Sequence, residues 1–269
     1  MLVHTGMKVN SYWCSNDNFG DAATPYIIKK ISGFKAKYVE ERQDVYRCLV
    51  TGSIIGMKAV SKSLIWGCGM PWKDEKIFKA YDYLMVRGPL TAKRVMKQTG
   101  ITPSCIGDPV LLLPRFYNPK VEKKHKFGIL PSWIDHHIVE EFYSGDDVKI
   151  INIMKPIEHV VNSLLECEAV VCSCLHGIVA CAAYGIPTGW VEFSDRVVGD
   201  GTKFRDFAFS CGFDTYKPLD VRSKVDLSEL IKVPVVHPLV HDFDKMLDTC
   251  PFRSQSWAHK KYGRLIFRD

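Results

Sequence analysis

Short runs rich in β-branched and aromatic residues alternate with helical patterns along most of this chain, and that alternation restricts its fold more than any other feature. A β-run followed by a helix and another β-run is the signature of parallel strands joined by crossovers, which argues against a sandwich or a helical bundle. The runs Lys8–Cys14, Cys48–Thr51, Ser63–Trp66, Tyr83–Val86 and Ser104–Ile106 predict strands in the first part of the chain. Phe127–Leu130, Lys149–Ile153, Ala169–Cys174 and Thr188–Phe193 predict strands in the second. Helices fall between them. The segment Pro89–Thr99 carries the clearest signals, with proline at a first-turn position, apolar Leu90, Val95 and Met96 among basic residues, and Gly100 as the stop.

The 269 residues suit two compact units, and a hydrophobic fraction of 46% is enough for a sizeable core. The stretch RFYNPKVEKKHK, Arg115–Lys126, is charged and broken by Pro119, so it reads as a linker. The expectation is an α/β fold of two Rossmann-like lobes facing across a cleft: residues 1–118, then 119–235, with 236–269 packing back on the first lobe. A helical pattern runs around His241–Leu247.

The formal net charge of +6 is a modest excess that favours anionic ligands, but the basic residues are dispersed, which argues against nucleic acid. Ten cysteines occur without a Cys-x-x-Cys pair, and the N-terminus lacks the basic start and apolar centre of a signal peptide. No apolar run approaches the roughly 20 residues that span a bilayer. Reduced thiols and a soluble, cytoplasmic protein are expected.

In open α/β sheets ligands bind beyond the carboxyl ends of the strands, so the residues at those positions are the candidates for a site. Asn18 and Asp21, in SNDNFGD, either cap the following helix or touch a ligand. The glycines of WGCG, Gly67 and Gly69, allow close approach of backbone to a bound group. Arg87 in VRGP follows a strand and precedes a helix, where a guanidinium can fork onto a carboxylate or phosphate. Asp108 in GDP has the look of a helix N-cap ahead of a first-turn proline.

The stretch CSCLHGIVACAAYGIP, Cys172–Pro187, places His176 in the first turn of a helix after a buried strand, with Gly177 beside it. The imidazole can be a satisfied core group, a metal ligand with Cys172 and Cys174, or a catalyst. Residues two apart on a strand are about 6.6 Å apart, which suits tight zinc coordination poorly, so no metal is expected. A helix N-terminus disfavours imidazolium, whereas a bound anion restores the proton. Further on, SDRVVGDGTKFRDF groups Arg196, Lys203 and Arg205 around Gly199–Gly201, either as a phosphate clamp or as a solvated hairpin tip neutralised by Asp195, Asp200 and Asp206. Glu158 and Glu166 have the E-x7-E spacing of some retaining glycosyltransferases but fall on a solvent-facing helix pattern.

The ordered set NFGD, GSIIG, WGCG, VRGPLT, GDPVLLLP, GILP, CSCLHGIVACAAYGIP and SDRVVGDGTKFRDF resembles the polysaccharide pyruvyl transferase family over about residues 8–212. The resemblance implies a glycosyltransferase-B-like enzyme without a cofactor that moves the enolpyruvyl-derived unit of phosphoenolpyruvate onto a sugar or lipid-linked oligosaccharide as a ketal. It would work in the cytoplasm, at the membrane where glycan precursors are built. It also implies that His176 and Arg87 are catalytic and that Arg196 and Lys203 bind the donor, with Gly177, Gly67 and Gly69 around it. Asn18, Asp21 and Ser132 stand as acceptor or loop residues, Ser132 where the family often has a histidine. Cysteines replace family serines at Cys68, Cys172, Cys174 and Cys211. A glycosyltransferase using a nucleotide-sugar and a non-catalytic carbohydrate-binding protein are the rival readings.

Overall fold

The computed structural model describes residues 7–14, 18–56, 61–145 and 147–268. The first sheet is built from β1 (Lys8–Ser11), β2 (Lys35–Tyr38), β3 (Arg47–Leu49), β4 (Ser63–Trp66), β5 (Asp82–Val86) and β6 (Cys105–Ile106), all paired in parallel. Helix α1 (Phe19–Ser32) follows β1 and α2 (Pro89–Thr99) follows β5. Asn18 caps α1 by accepting from Gly20 N and Asp21 N, and Gly33 ends it at φ +78°. Pro89 opens α2, and Gly100 ends it at φ +75°, the left-handed value that glycine adopts at no steric cost.

The chain then crosses to a second sheet through a 3-10 helix, Pro109–Arg115, capped by Asp108 Oδ1 accepting from Val110 N. The segment expected to be a linker is packed: Tyr117 OH donates to Asn162 Oδ1, and its carbonyl accepts from Tyr184 OH. The second sheet comprises β7 (His125–Leu130), β8 (Lys149–Ile150), β9 (Cys167–Cys172), β10 (Thr188–Glu192) and β11 (Leu219–Asp220) in the order β11-β10-β9-β7-β8, all parallel. Its helices are α3 (His136–Tyr143), α4 (Ile157–Leu165), α5 (Leu175–Ala183), α6 (Thr202–Ser210) and α7 (Leu227–Leu230). The final segment returns to the first sheet. Trp66 Nε1 on β4 donates to Met246 O of α8 (Phe243–Asp248), Tyr262 OH of α9 (Trp257–Ile266) bonds Asp82, and β12 (Phe267–Arg268) pairs antiparallel with β1.

Strand periodicity explains the layering. On β4, Leu64 and Trp66 face one core while Ile65 faces another; on β9, Val170 and Cys172 face one side and Val171 the other. The inward faces of both sheets, together with Val110–Leu113 of the 3-10 helix, join in one continuous apolar core. The outer faces are filled separately, by Val95 of α2 on the first sheet and by Val139 and Tyr143 of α3 on the second. All ten cysteines are free thiols. Among the described residues no helix is long and apolar enough to cross a membrane.

Candidate active site

Both sheets open their carboxyl ends onto one cavity of about 260 Å³. Its wall takes Ser53 from the loop after β3, Ser132 from the loop after β7, Cys174 and His176 from the turn after β9, Asn18 and Asp21 from the start of α1, and Lys203 from α6. The site residues expected from the loops after β1, β7 and β9 are thus brought together, although Ser15–Asp17 of the first loop lie outside the described residues.

His176 sits at the second position of α5. Cys174 is the N-cap, so the first turn of the helix borders the cavity. Only 14% of the histidine side chain is exposed. Burial, then the nearby positive charges of Arg87 and Lys203, push its pKa down to about 3, so the free protein holds a neutral imidazole. Its Nε2 is buried without a hydrogen-bond partner and lies 3.8 Å from Asp108 Oδ2, which is likewise buried and without a partner. Burial raises the Asp108 carboxyl to about 6. On the other side the ring rests against Gly20, where a Cβ would overlap Nδ1. Gly20 is held in register because Thr51 Oγ1 donates to its carbonyl at 2.9 Å and Phe19 N donates to Ile153 O at 3.0 Å.

Arg87 departs from its expected place. The guanidinium is fully buried and outside the cavity wall. Its Nη1 donates to Ser53 Oγ at 3.0 Å and its Nη2 to Met70 O at 2.9 Å, while Nε faces Asp206 Oδ2 at 3.6 Å. It therefore stands behind Ser53 and acts on the cavity through its field. Gly69 makes the space, since a Cβ there would overlap the guanidinium. Gly67, at φ +112°, lets the backbone turn against Pro109 and Val50 O, and Gly177 packs on Cys172, Cys174 and Leu130. These three glycines serve close packing behind the wall.

The segment Ser194–Phe207 is not a hairpin tip, because Gly201, at φ +82°, opens helix α6. That helix separates the three expected clamp cations. Lys203 faces the cavity, donates to Val198 O at 2.6 Å and has its pKa lowered to about 8 by burial and by Arg87. Arg205 turns away to Asp200 O and the Trp190 ring. Arg196, 50% exposed, donates to Ile134 O beside Asp135 and is not part of the cavity wall. Asp206, expected to neutralise a surface tip, is fully buried and accepts from Leu90 N, Thr91 N and Thr91 Oγ1. Glu158 and Glu166 pair with Lys30 and with Lys124 and Lys149, away from the cavity.

Ser132, 7% exposed, is fixed by its backbone N–H, which donates to Ser173 Oγ at 2.8 Å. Cys172 Sγ lies against Thr188 Oγ1 and Cys174 Sγ toward Leu130 O. No group of three metal-ligating side chains occurs among the described residues.

The model of the family described as "Polysaccharide pyruvyl transferase" matches residues 8–195, which contain the cavity-lining residues other than Val197, Val198 and Lys203. The chain belongs to the polysaccharide pyruvyl transferase family. It is 26% identical over 241 residues to "Uncharacterized protein L143" of Acanthamoeba polyphaga mimivirus, covering 84% of this chain and 83% of that one. It is 26% identical over 236 residues to "Succinoglycan biosynthesis protein ExoV" of Rhizobium meliloti (strain 1021), covering 82% of this chain and 70% of that one. No solved structure matches. The family makes the chain an enzyme of the pyruvyl transferase type, and it implies a sugar or polysaccharide acceptor.

Proposed function

We propose that the protein transfers a pyruvyl group from phosphoenolpyruvate to two hydroxyls of a sugar, forming a ketal and releasing phosphate. The observation that carries this reading is the placement of His176 and Lys203 on one small cavity at the N-terminus of α5. The N-terminus and the ammonium favour a multiply charged small anion, and Arg87 reinforces the positive field from behind Ser53. The two sheets would serve as the facing lobes of a glycosyltransferase-B-like enzyme, with donor and acceptor meeting between their strand ends.

His176 is the general acid. Neutral in the free protein, it takes a proton when the anion binds, because negative charge nearby stabilises imidazolium. It gives that proton to the methylene carbon of the donor, and the carbon bearing the phosphate oxygen becomes cation-like and is captured by a sugar hydroxyl. Phosphate leaves and the second hydroxyl closes the ketal. One hydroxyl proton leaves with the phosphate, and the other passes to the imidazole, which gives it back to solvent as the products depart and so returns to neutral. Lys203 offsets charge on the departing phosphate.

Size and sign disfavour a nucleotide-sugar donor. The cavity is smaller than the roughly 300–1,000 Å³ usual for larger ligands. The neighbouring hollow on the second sheet is lined by Glu192, Asp195 and Asp200, and its Arg222 is already paired with Glu192 and Asp195, which is the wrong sign for a diphosphate. Incubation with phosphoenolpyruvate and an oligosaccharide panel should release inorganic phosphate; release of nucleoside diphosphate from a nucleotide-sugar panel instead would overturn the reading. His176→Gln should lower turnover by about 10²–10⁴-fold with the fold retained.

A further inference from the structure

We propose that Asp108 is the positioning residue for His176: its Oδ2 holds the proton of the ring on Nε2 and thereby leaves Nδ1 as the nitrogen that exchanges a proton with the substrate. The proposal rests on the pyruvyl-transfer reading only for its kinetic consequence.

The geometry points to this pairing because two fully buried polar atoms are left without hydrogen bonds and face one another. Asp108 has its Oδ1 occupied by Val110 N at 3.0 Å, but its Oδ2 has no partner and no solvent. His176 Nε2 is in the same condition 3.8 Å away. An orphaned buried acceptor or donor is costly, and a closure of under about 1 Å brings this pair to the ordinary separation of about 2.9 Å. Capping alone does not account for Asp108. The cap uses a single oxygen, which Asn or Ser supplies equally well without burying a charge.

With Nε2–H directed at Asp108, Nδ1 is the ring nitrogen left for exchange; it lies beside Gly20 at the start of α1, whose Asn18 and Asp21 line the cavity with His176. The carboxylate then balances the imidazolium that forms when the anion arrives. Arg87 and Asp206 lie close enough to act on Asp108, Arg87 favouring its charged form and Asp206 opposing it. The pair is therefore set within a buried network of alternating sign, a Lys203–Arg87 positive side and an Asp108–Asp206 negative side.

Asp108→Asn distinguishes positioning from capping. The amide oxygen remains on Val110 N–H and the volume is unchanged, but the NH₂ now points at Nε2 and forces the ring proton to Nδ1. In histidine-15N-labelled protein, with the His176 signals assigned by their loss in His176→Gln, the unmodified protein at neutral pH should show Nε2–H and the variant Nδ1–H. Turnover of phosphoenolpyruvate should fall by about 10²-fold or more, the KM for phosphoenolpyruvate should change by less than about threefold, and the unfolding midpoint should be nearly constant. Nδ1–H in the unmodified protein, or turnover of Asp108→Asn within about threefold of it, overturns the proposal. If the tautomer switches as described while the unmodified protein releases no phosphate with any acceptor, the pairing stands and the pyruvyl-transfer reading fails.

Discussion

The Arg87 guanidinium and the Asp206 carboxylate form a buried pair between the two halves of the chain, Nε 3.6 Å from Oδ2 with no solvent exposure on either side chain. Asp206 also supplies the cap that α2 lacks: Gly88 has no side chain to offer, and Asp206 Oδ1 accepts from Leu90 N and Thr91 N. Asp206→Asn keeps an oxygen for those two donors but leaves the guanidinium without its counter-charge. Removing one partner of a buried pair costs about 3–5 kcal/mol, so the unfolding free energy from urea denaturation at pH 7 should fall by that amount, seen as a lower midpoint with the slope unchanged. A loss under about 1 kcal/mol would show that Ser53 and Met70 O suffice for Arg87.

Gly20 governs the position of the catalytic ring from the opposite side. Its backbone is ordinary helix, so alanine meets no torsional penalty, but a Cβ would occupy the space of His176 Nδ1. Overpacking of this kind costs about 1–3 kcal/mol, partly offset by the better helix propensity of alanine. Gly20→Ala should therefore stay folded by circular dichroism while losing turnover about as severely as His176→Gln. Retained turnover would mean that the ring has other room to sit in.

Buried neutral histidines set the acid response of the fold. His237 packs on Phe207, Phe213 and Tyr216, and His241 bonds Ser210; burial lowers both to about 4 from the ordinary 6.5. Between pH 6.5 and 4 the unfolded chain binds protons at these sites that the folded chain refuses. Their contribution is therefore complete above pH 6.5 and is lost as the pH falls toward 4. His176 adds in the same direction, while Asp108, raised to about 6, opposes it. The unfolding midpoint should be lower at pH 4.5 than at pH 7, and His241→Gln, which keeps a hydrogen bond to Ser210, should narrow that difference. An equal gap in the variant would assign the acid sensitivity elsewhere.

The parts of this molecule that were legible in the sequence are those fixed by local rules. Ser63–Trp66 and Pro89–Thr99 form as read, and the Asp108 cap follows from its place before Pro109. The strands Lys35–Tyr38 and Leu219–Asp220 were not legible, because they are only 4 and 2 residues long and mostly exposed, too short for a pattern to stand out. What the sequence hid in the site are relations between distant residues. Asp206 reads as a surface charge until α6 carries it to the start of α2, although the uncapped Gly88-Pro89 start was a signal that a partner had to come from elsewhere. Gly20 belongs to NFGD, yet its reason, the ring of His176, lies more than 150 positions along the chain. Arg87 sits at a strand end as read, but whether such a group faces the ligand or stands behind the wall depends on the packing of Ser53, Gly69 and Asp206 around it.

Lys203 supplies the last test, because its charge is present in the free protein only below its lowered pKa of about 8. Burial and the Arg87 charge both disfavour the ammonium, so it is lost as the pH rises through 8, where an ordinary lysine would still be charged. If the ammonium holds the anionic donor, kcat/KM for phosphoenolpyruvate, which reports the free enzyme, should decline above about pH 8. Lys203→Arg keeps the charge at all accessible pH and should move that decline upward, whereas Lys203→Met should weaken donor binding and remove it. Donor binding is a charge effect on this account, so it should also weaken with salt in the unmodified protein and much less in Lys203→Met. A basic limb that persists unchanged in Lys203→Met would assign it to another group and take Lys203 out of the donor site.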